Sequence, residues 1–176
     1  MPKGPFLPSE FAATQWSTQQ DKADFGNALL HFIDSGFKQT FFTKKLYQRL
    51  SNTYGHIAHY NHAGFWEEWF SSDAYHVRFI EHMLAWPCYG DPTFTFCDVE
   101  RSLKTEVRRR NYLDRYRAIA DASLREREVS LLEKLEAKYR RPAVPDPCIL
   151  HEHIEPPPPV RPLAPQPGEP IQGTLF

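Results

Sequence analysis

The sequence predicts an all-α domain over roughly residues 10–141, followed by a proline-rich tail. Along most of the first 141 residues, apolar side chains recur every three or four positions, which is the helical period. Eleven of the sixteen prolines lie between Pro142 and Pro170, where this period stops. Such a composition cannot bury enough apolar surface to fold, so disorder is expected there. The predicted segments are an N-terminal arm (1–9), a helical domain (10–141), a disordered linker (142–171) and a docking peptide (172–176).

N-capping residues predict where the first two helices begin. The run Ser17–Gln20 reads as a capping box, and the apolar period that follows it continues to Gly36, a natural helix stop. Thr43 can cap a second helix. The apolar residues of this second helix are Leu46, Tyr47, Leu50, Tyr54 and Ile57.

Two further helices are expected before residue 87. The segment Gly64–Phe70 is rich in aromatic rings and is predicted to be buried. Ser71 or Ser72 then begins a helix that ends before Pro87. Residues 87–97 read as a loop with one short strand at 93–97.

The longest apolar pattern follows Asp98, which is predicted to be its N-cap. The pattern continues for about forty residues without Gly or Pro, more than an ordinary globular helix needs. The sequence therefore predicts either one long helix or a pair joined near residues 121–123. A coiled-coil homodimer is a further possibility, although the heptad is broken between Val107 and Leu113.

Several functional classes are not expected. The eight glycines form no phosphate-binding loop, and neither a nucleophile elbow nor a Cys-x-x-Cys pair is present, so we expect no catalytic residues and no cofactor. Three cysteines form no evident disulfide framework. With no signal peptide and no apolar run of about 20 residues, the sequence predicts a cytoplasmic protein without a membrane segment.

The long pattern is also basic. Residues 99–141 carry 13 Lys and Arg against 8 Asp and Glu, although the whole chain has a net charge of −1. Helical spacing would place several cations on one face that could follow DNA phosphates, with Tyr112 and Tyr116 available to stack on bases. A solvated amphipathic face is the alternative interpretation. The candidate nucleic-acid-binding residues are Arg101, Lys104, Arg108, Arg109, Arg110 and Arg115.

Three histidines lie close together in the sequence. His56, His59 and His62 are spaced so that neighbouring pairs could meet on a helix and ligate zinc or iron. The sequence has neither His-Glu-x-x-His nor a paired Glu-x-x-His motif. A metal-dependent helical enzyme is therefore an alternative hypothesis, and buried histidines bonded to the backbone are the simpler one.

The printed sequence closes with Gln172-Gly-Thr-Leu-Phe176, two apolar anchors and a side-chain amide behind the polar, proline-rich stretch. This peptide resembles the bacterial sliding-clamp-binding motif, Gln-x-x-Leu-Phe, with matches at Gln172, Leu175 and Phe176. Gly173 departs from the motif, in which a larger residue is commoner.

The resemblance implies a non-enzymatic accessory protein that docks on the sliding clamp, near DNA, and modulates replication or repair. A plasmid or phage could encode such a protein as easily as a chromosome. The alternative from another class is a protein-interaction adaptor that inhibits a host or defence system.

Overall fold

The computed structural model describes residues 4–54 and 61–140, and the all-α prediction is confirmed for these ranges. They contain no β-strand, so the strand predicted at residues 93–97 is wrong; turns connect the flanking helices instead. Short 3₁₀ helices occur at Pro8–Glu10 and Gln39–Phe41. The α-helices in the described ranges are α1 (Gln19–Asp34), α2 (Lys44–Thr53), α3 (His62–Phe70), α4 (Asp73–Ala85), α5 (Cys97–Arg109) and α6 (Tyr112–Tyr139).

The chain divides into two compact units, residues 1–134 and residues 135–176. The second unit is described only over residues 135–140, where α6 ends. Within the described ranges, no helix is both long enough and apolar enough to cross a membrane.

Side-chain caps begin four of the described helices, including α3, where the Asn61 side chain accepts from the backbone N–H of Gly64. Thr43 and Ser72 cap α2 and α4 as predicted. The capping box of α1 begins one residue later than predicted: Thr18 accepts from the backbone N–H of Asp21, and the Asp21 carboxylate accepts from that of Thr18. Ser17 is not part of the box, because its hydroxyl instead accepts from Arg49 at 3.1 Å.

Aromatic rings fill the centre of the first unit. Phe32 is fully buried, and Phe37 packs against Phe70 and Tyr116 with ring centroids 5.4 and 5.0 Å apart. Phe37 has a φ of +54°, which directs its ring inward immediately after Gly36. That backbone conformation costs an L-residue roughly 1–2 kcal/mol. Burial of a large ring offsets this cost.

A buried ion pair joins α1 to α5. The Lys22 side chain is fully buried, and its ammonium donates to Asp98 at 2.9 and 3.0 Å and to the Pro92 carbonyl at 2.7 Å. Asp98 also accepts from the backbone N–H of Ala12. The prediction that Asp98 caps a helix is therefore wrong, since Phe96 precedes α5 without a side-chain cap. Asp98 lies inside the first turn of α5, where its carboxylate accepts from the backbone N–H of Val99 at 2.9 Å as well as pairing with the buried ammonium.

The long pattern forms two helices, and the joint predicted near residues 121–123 is wrong. The chain turns at Asn111, which has a φ of +50°, a left-handed conformation that asparagine tolerates better than most residues. The break allows α6 to begin against the end of α1. There Tyr112 donates to the Asp34 carboxylate and Tyr116 donates to the Ile33 carbonyl.

Candidate functional site

The predicted basic face divides between two helices. Arg101 and Arg108 are exposed on α5, seven residues apart and therefore on one side of the helix. Arg115 is exposed as well, but it lies on α6 beyond the turn at Asn111, so helical spacing no longer aligns it with the other two. The prediction of one continuous basic face is wrong for this reason.

Two other arginines of the predicted set are paired with acids. Arg109 and Arg110 both donate to Glu106, and Arg110 also donates to Asp34 at 2.7 Å. The hydrogen bond from Arg109 is the largest cause of the lowered pKa of Glu106, so this carboxyl is ionised at neutral pH. These pairs reduce the positive field that Arg109 and Arg110 could offer to a phosphate.

Lys104 is not on the basic face. Its side chain is buried, and the ammonium donates to the Trp86 carbonyl. Glu100, one turn earlier on α5, is also buried, and the Cys88 thiol interacts with both groups. Burial raises the pKa of Cys88 and that of Glu100, while Lys104 opposes both shifts. The thiol is therefore protonated at neutral pH, which makes it a poor nucleophile.

The two tyrosines proposed for base stacking are also buried in the first unit. Tyr112 and Tyr116 are 1% and 2% exposed, so the prediction that they meet nucleic-acid bases is wrong. Burial is the largest cause of the raised pKa of each, and the pKa of Tyr112 reaches about 12. Both rings are part of the fold, so neither is available to stack on bases beside Arg101, Arg108 and Arg115.

The histidine cluster lies mostly outside the described residues, because His56 and His59 fall between residues 54 and 61. His62 is described: its Nε2 lies 2.8 Å from the Phe42 carbonyl, and its ring stacks on Phe42. In the ranges 4–54 and 61–140 no group of three or more His, Cys, Asp or Glu could hold a metal ion. The part-buried His62 is therefore bonded to the backbone, and its ring packs within the fold.

A cleft of about 300 Å³ lies between α1 and α2 and was not predicted. Its lining is mostly apolar, with Phe25 and Leu46 among the contributing side chains. Of its polar residues, Asn27 exchanges two hydrogen bonds with the Phe6 backbone, and Arg49 lies over the Phe96 ring. The cleft can accept an apolar group, and four charged side chains also line it: Asp21, Asp24, Lys45 and Arg49. It could not be found from the sequence because its residues come from two helices and form no motif.

The predicted docking residues Gln172, Leu175 and Phe176 lie outside the described residues. The chain matches no protein-family model, no curated protein and no solved structure. Its function has to be inferred from its own residues.

Proposed function

We propose that this protein is a non-enzymatic accessory protein that docks on the bacterial DNA sliding clamp and modulates DNA replication or repair. The match of Gln172, Leu175 and Phe176 to the three anchor positions of the clamp-binding motif carries the proposal. The first unit supports it indirectly: the described polar clusters around Lys22, Lys104 and Glu106 are engaged in packing and pairing.

The docking peptide would bind by burying its two apolar side chains. Leu175 and Phe176 fill an apolar pocket of the clamp, and the Gln172 amide exchanges hydrogen bonds with the pocket rim. Gly173 contributes no side-chain contact, so the affinity is lower than that of a peptide with a larger residue there. The proline-rich linker keeps the helical unit at a high effective concentration near the clamp and its DNA.

The helical unit would contact DNA only at its phosphate groups. Arg101, Arg108 and Arg115 are exposed, and among the described residues none of the three forms an ion pair. Without exposed tyrosines beside them, these cations favour contacts that do not read sequence. Clamp docking would supply the location, and the arginines would add a salt-sensitive contact.

Calorimetric titration of the full-length protein into a bacterial sliding clamp tests the docking. We expect micromolar or tighter binding, with an affinity at least tenfold weaker in a Leu175→Ala/Phe176→Ala variant. Thr174→Ala is the matched control, because it changes a motif position that is not an anchor. Failure of the unaltered protein to bind, or equal binding by the double variant, would refute the proposal.

Fluorescence anisotropy with duplex DNA tests the arginine contact separately. Neutralising Arg101, Arg108 and Arg115 together should reduce the slope of log affinity against log salt by about 2–3, since each phosphate contact contributes about 0.9. The control removes three exposed cations elsewhere, Lys38, Lys44 and Lys45. Equal losses in both variants would show that only net charge matters.

A further inference from the structure

The segment of α6 over residues 119–134, called here the outer segment, exposes large apolar side chains. The only buried residues of α6 are Tyr112 and Tyr116, which precede this segment. Within it, five large apolar residues are between 39% and 57% exposed. They are Ile119, Leu124, Val129, Leu131 and Leu132.

Two of these leucines define a seam along the outer segment. Leu124 and Leu131 are seven residues apart, so they lie almost directly above one another on the helix. Both are at least half exposed. The exposed leucines leave apolar surface in contact with water, so covering the seam with a partner would be favourable.

The two sides of the seam carry charges of opposite sign. At 100° per residue, Arg127 and Lys134 lie on one side of the leucines, and Asp121 and Glu128 lie on the other. None of the four forms an ion pair within the described ranges. Arg127 donates to the Ser123 carbonyl on its own helix at 3.1 Å. One flank of the seam is therefore basic and the other acidic.

We propose that the outer segment binds the same segment of a second copy of this chain, with the two helices parallel. In a parallel pair, the basic flank of each helix meets the acidic flank of its partner. An antiparallel pair would place Arg127 and Lys134 against the same residues of the other copy, and like charges would repel. A partner of one uniform charge would match only one flank, so the split pattern favours the chain itself.

Only two leucines per helix form the seam, so the association is weak and depends on concentration. The proposal depends on described residues of the first unit and is independent of clamp docking. If the clamp proposal also holds, a dimer would present two docking peptides and gain avidity for a target with repeated sites.

Sedimentation equilibrium of the full chain over a wide concentration range tests the seam. We expect a reversible monomer–dimer equilibrium that Leu131→Ser weakens at least tenfold. Val129→Ser is the matched control, because Val129 is equally exposed but lies on the opposite side of the helix from the seam. Circular dichroism checks that both variants keep their helix content. A chain that stays monomeric, or equal weakening by both variants, would overturn the proposal.

Charge reversal tests the orientation. Asp121→Lys/Glu128→Lys makes both flanks basic and should weaken a parallel dimer. Adding Arg127→Glu/Lys134→Glu reverses the other flank, restores opposite charges across a parallel seam and should recover the affinity of the unaltered chain. An antiparallel pair places like charges against each other in all three proteins, so its affinity would not differ between them. Equal affinity in all three, or no recovery in the quadruple variant, would therefore overturn the parallel arrangement.

Discussion

The two ends of α6 within the first unit share one apolar period but differ in what surrounds them. At the start of the helix, Tyr112 and Tyr116 are buried and bonded to the end of α1. Further along, Leu124 and Leu131 lie seven residues apart, again on one side of the helix, and are at least half exposed. This difference shows that periodicity identifies the apolar side of a helix. Whether that side is buried depends on whether another element of the fold packs against it.

The buried end is held by polar partners as well as by apolar contact. Each tyrosine hydroxyl reaches an acceptor on α1, and Arg110 reaches Asp34 from the preceding turn. A buried hydroxyl without an acceptor would cost about 1–3 kcal/mol of stability. The two hydrogen bonds remove this cost, so both tyrosines can be buried. The leucines of the outer segment need no polar partner and can be exposed at a smaller cost.

The largest effect that separates the two ends should come from truncating one side chain in each. Tyr116→Ala is expected to lower the free energy of unfolding by about 3–5 kcal/mol, because it removes a buried ring and its hydrogen bond. Leu131→Ala should change it by less than about 0.5 kcal/mol, because that leucine is exposed. Urea unfolding followed by circular dichroism, at concentrations low enough to keep the chain monomeric, measures both. Similar losses would show that the two ends are equally packed.

A smaller effect should come from the turn that places α6 against α1. Asn111 has a positive φ, so Asn111→Val should cost about 1–2 kcal/mol of stability. Asn111→Gly should remain within about 0.5 kcal/mol of the unaltered chain, since glycine adopts this conformation without steric penalty. The same urea titration measures both variants. Equal effects would mean that the left-handed turn is not what constrains this position.

The smallest expected effect concerns pH and His76, which stacks on Phe37 beside Tyr116. Burial lowers the pKa of His76 from its ordinary value of 6.5, although the Phe70 carbonyl and Asp73 oppose the shift. The folded state therefore favours the neutral ring, and this contribution is lost as the pH falls through the lowered pKa. Unfolding free energies measured at several pH values below neutrality should fall less steeply for His76→Phe.

An identical slope in His76→Phe and the unaltered chain would contradict this assignment. Glu100 acts in the opposite sense, because burial raises its pKa and protonation on acidification favours its buried form. Glu100 is present in both proteins, so its contribution cancels when the two slopes of unfolding free energy against pH are compared.

Local signals in the sequence were sufficient for much of the fold. Thr43 and Ser72 were identified as caps because a side-chain oxygen three residues before a free backbone N–H acts at short range. Asp98 carries the same local signal, but α5 begins one residue before it, at Cys97, and its carboxylate also pairs with Lys22, which is distant in the sequence. Local patterns therefore predict helix ends where a side-chain cap acts alone, and they miss the turn at Asn111.

The candidate site was predicted less completely, for a similar reason. A helical wheel assumes one continuous helix, and the turn at Asn111 invalidates it for Arg115. It also cannot show that Lys104 points into the protein, because that depends on where Trp86 lies. The exposed Arg101 and Arg108 remain where their spacing placed them.

By itself, the sequence determined the helical class, the starts of α2 and α4 and the proline-rich character of residues 142–171, because these properties depend on neighbours along the chain. Only the tertiary structure decided which amphipathic faces are covered, which cations are neutralised and where the long pattern breaks. Those outcomes depend on contacts between residues far apart in sequence, such as Tyr116 with Ile33 and Lys22 with Asp98. No local period encodes such contacts.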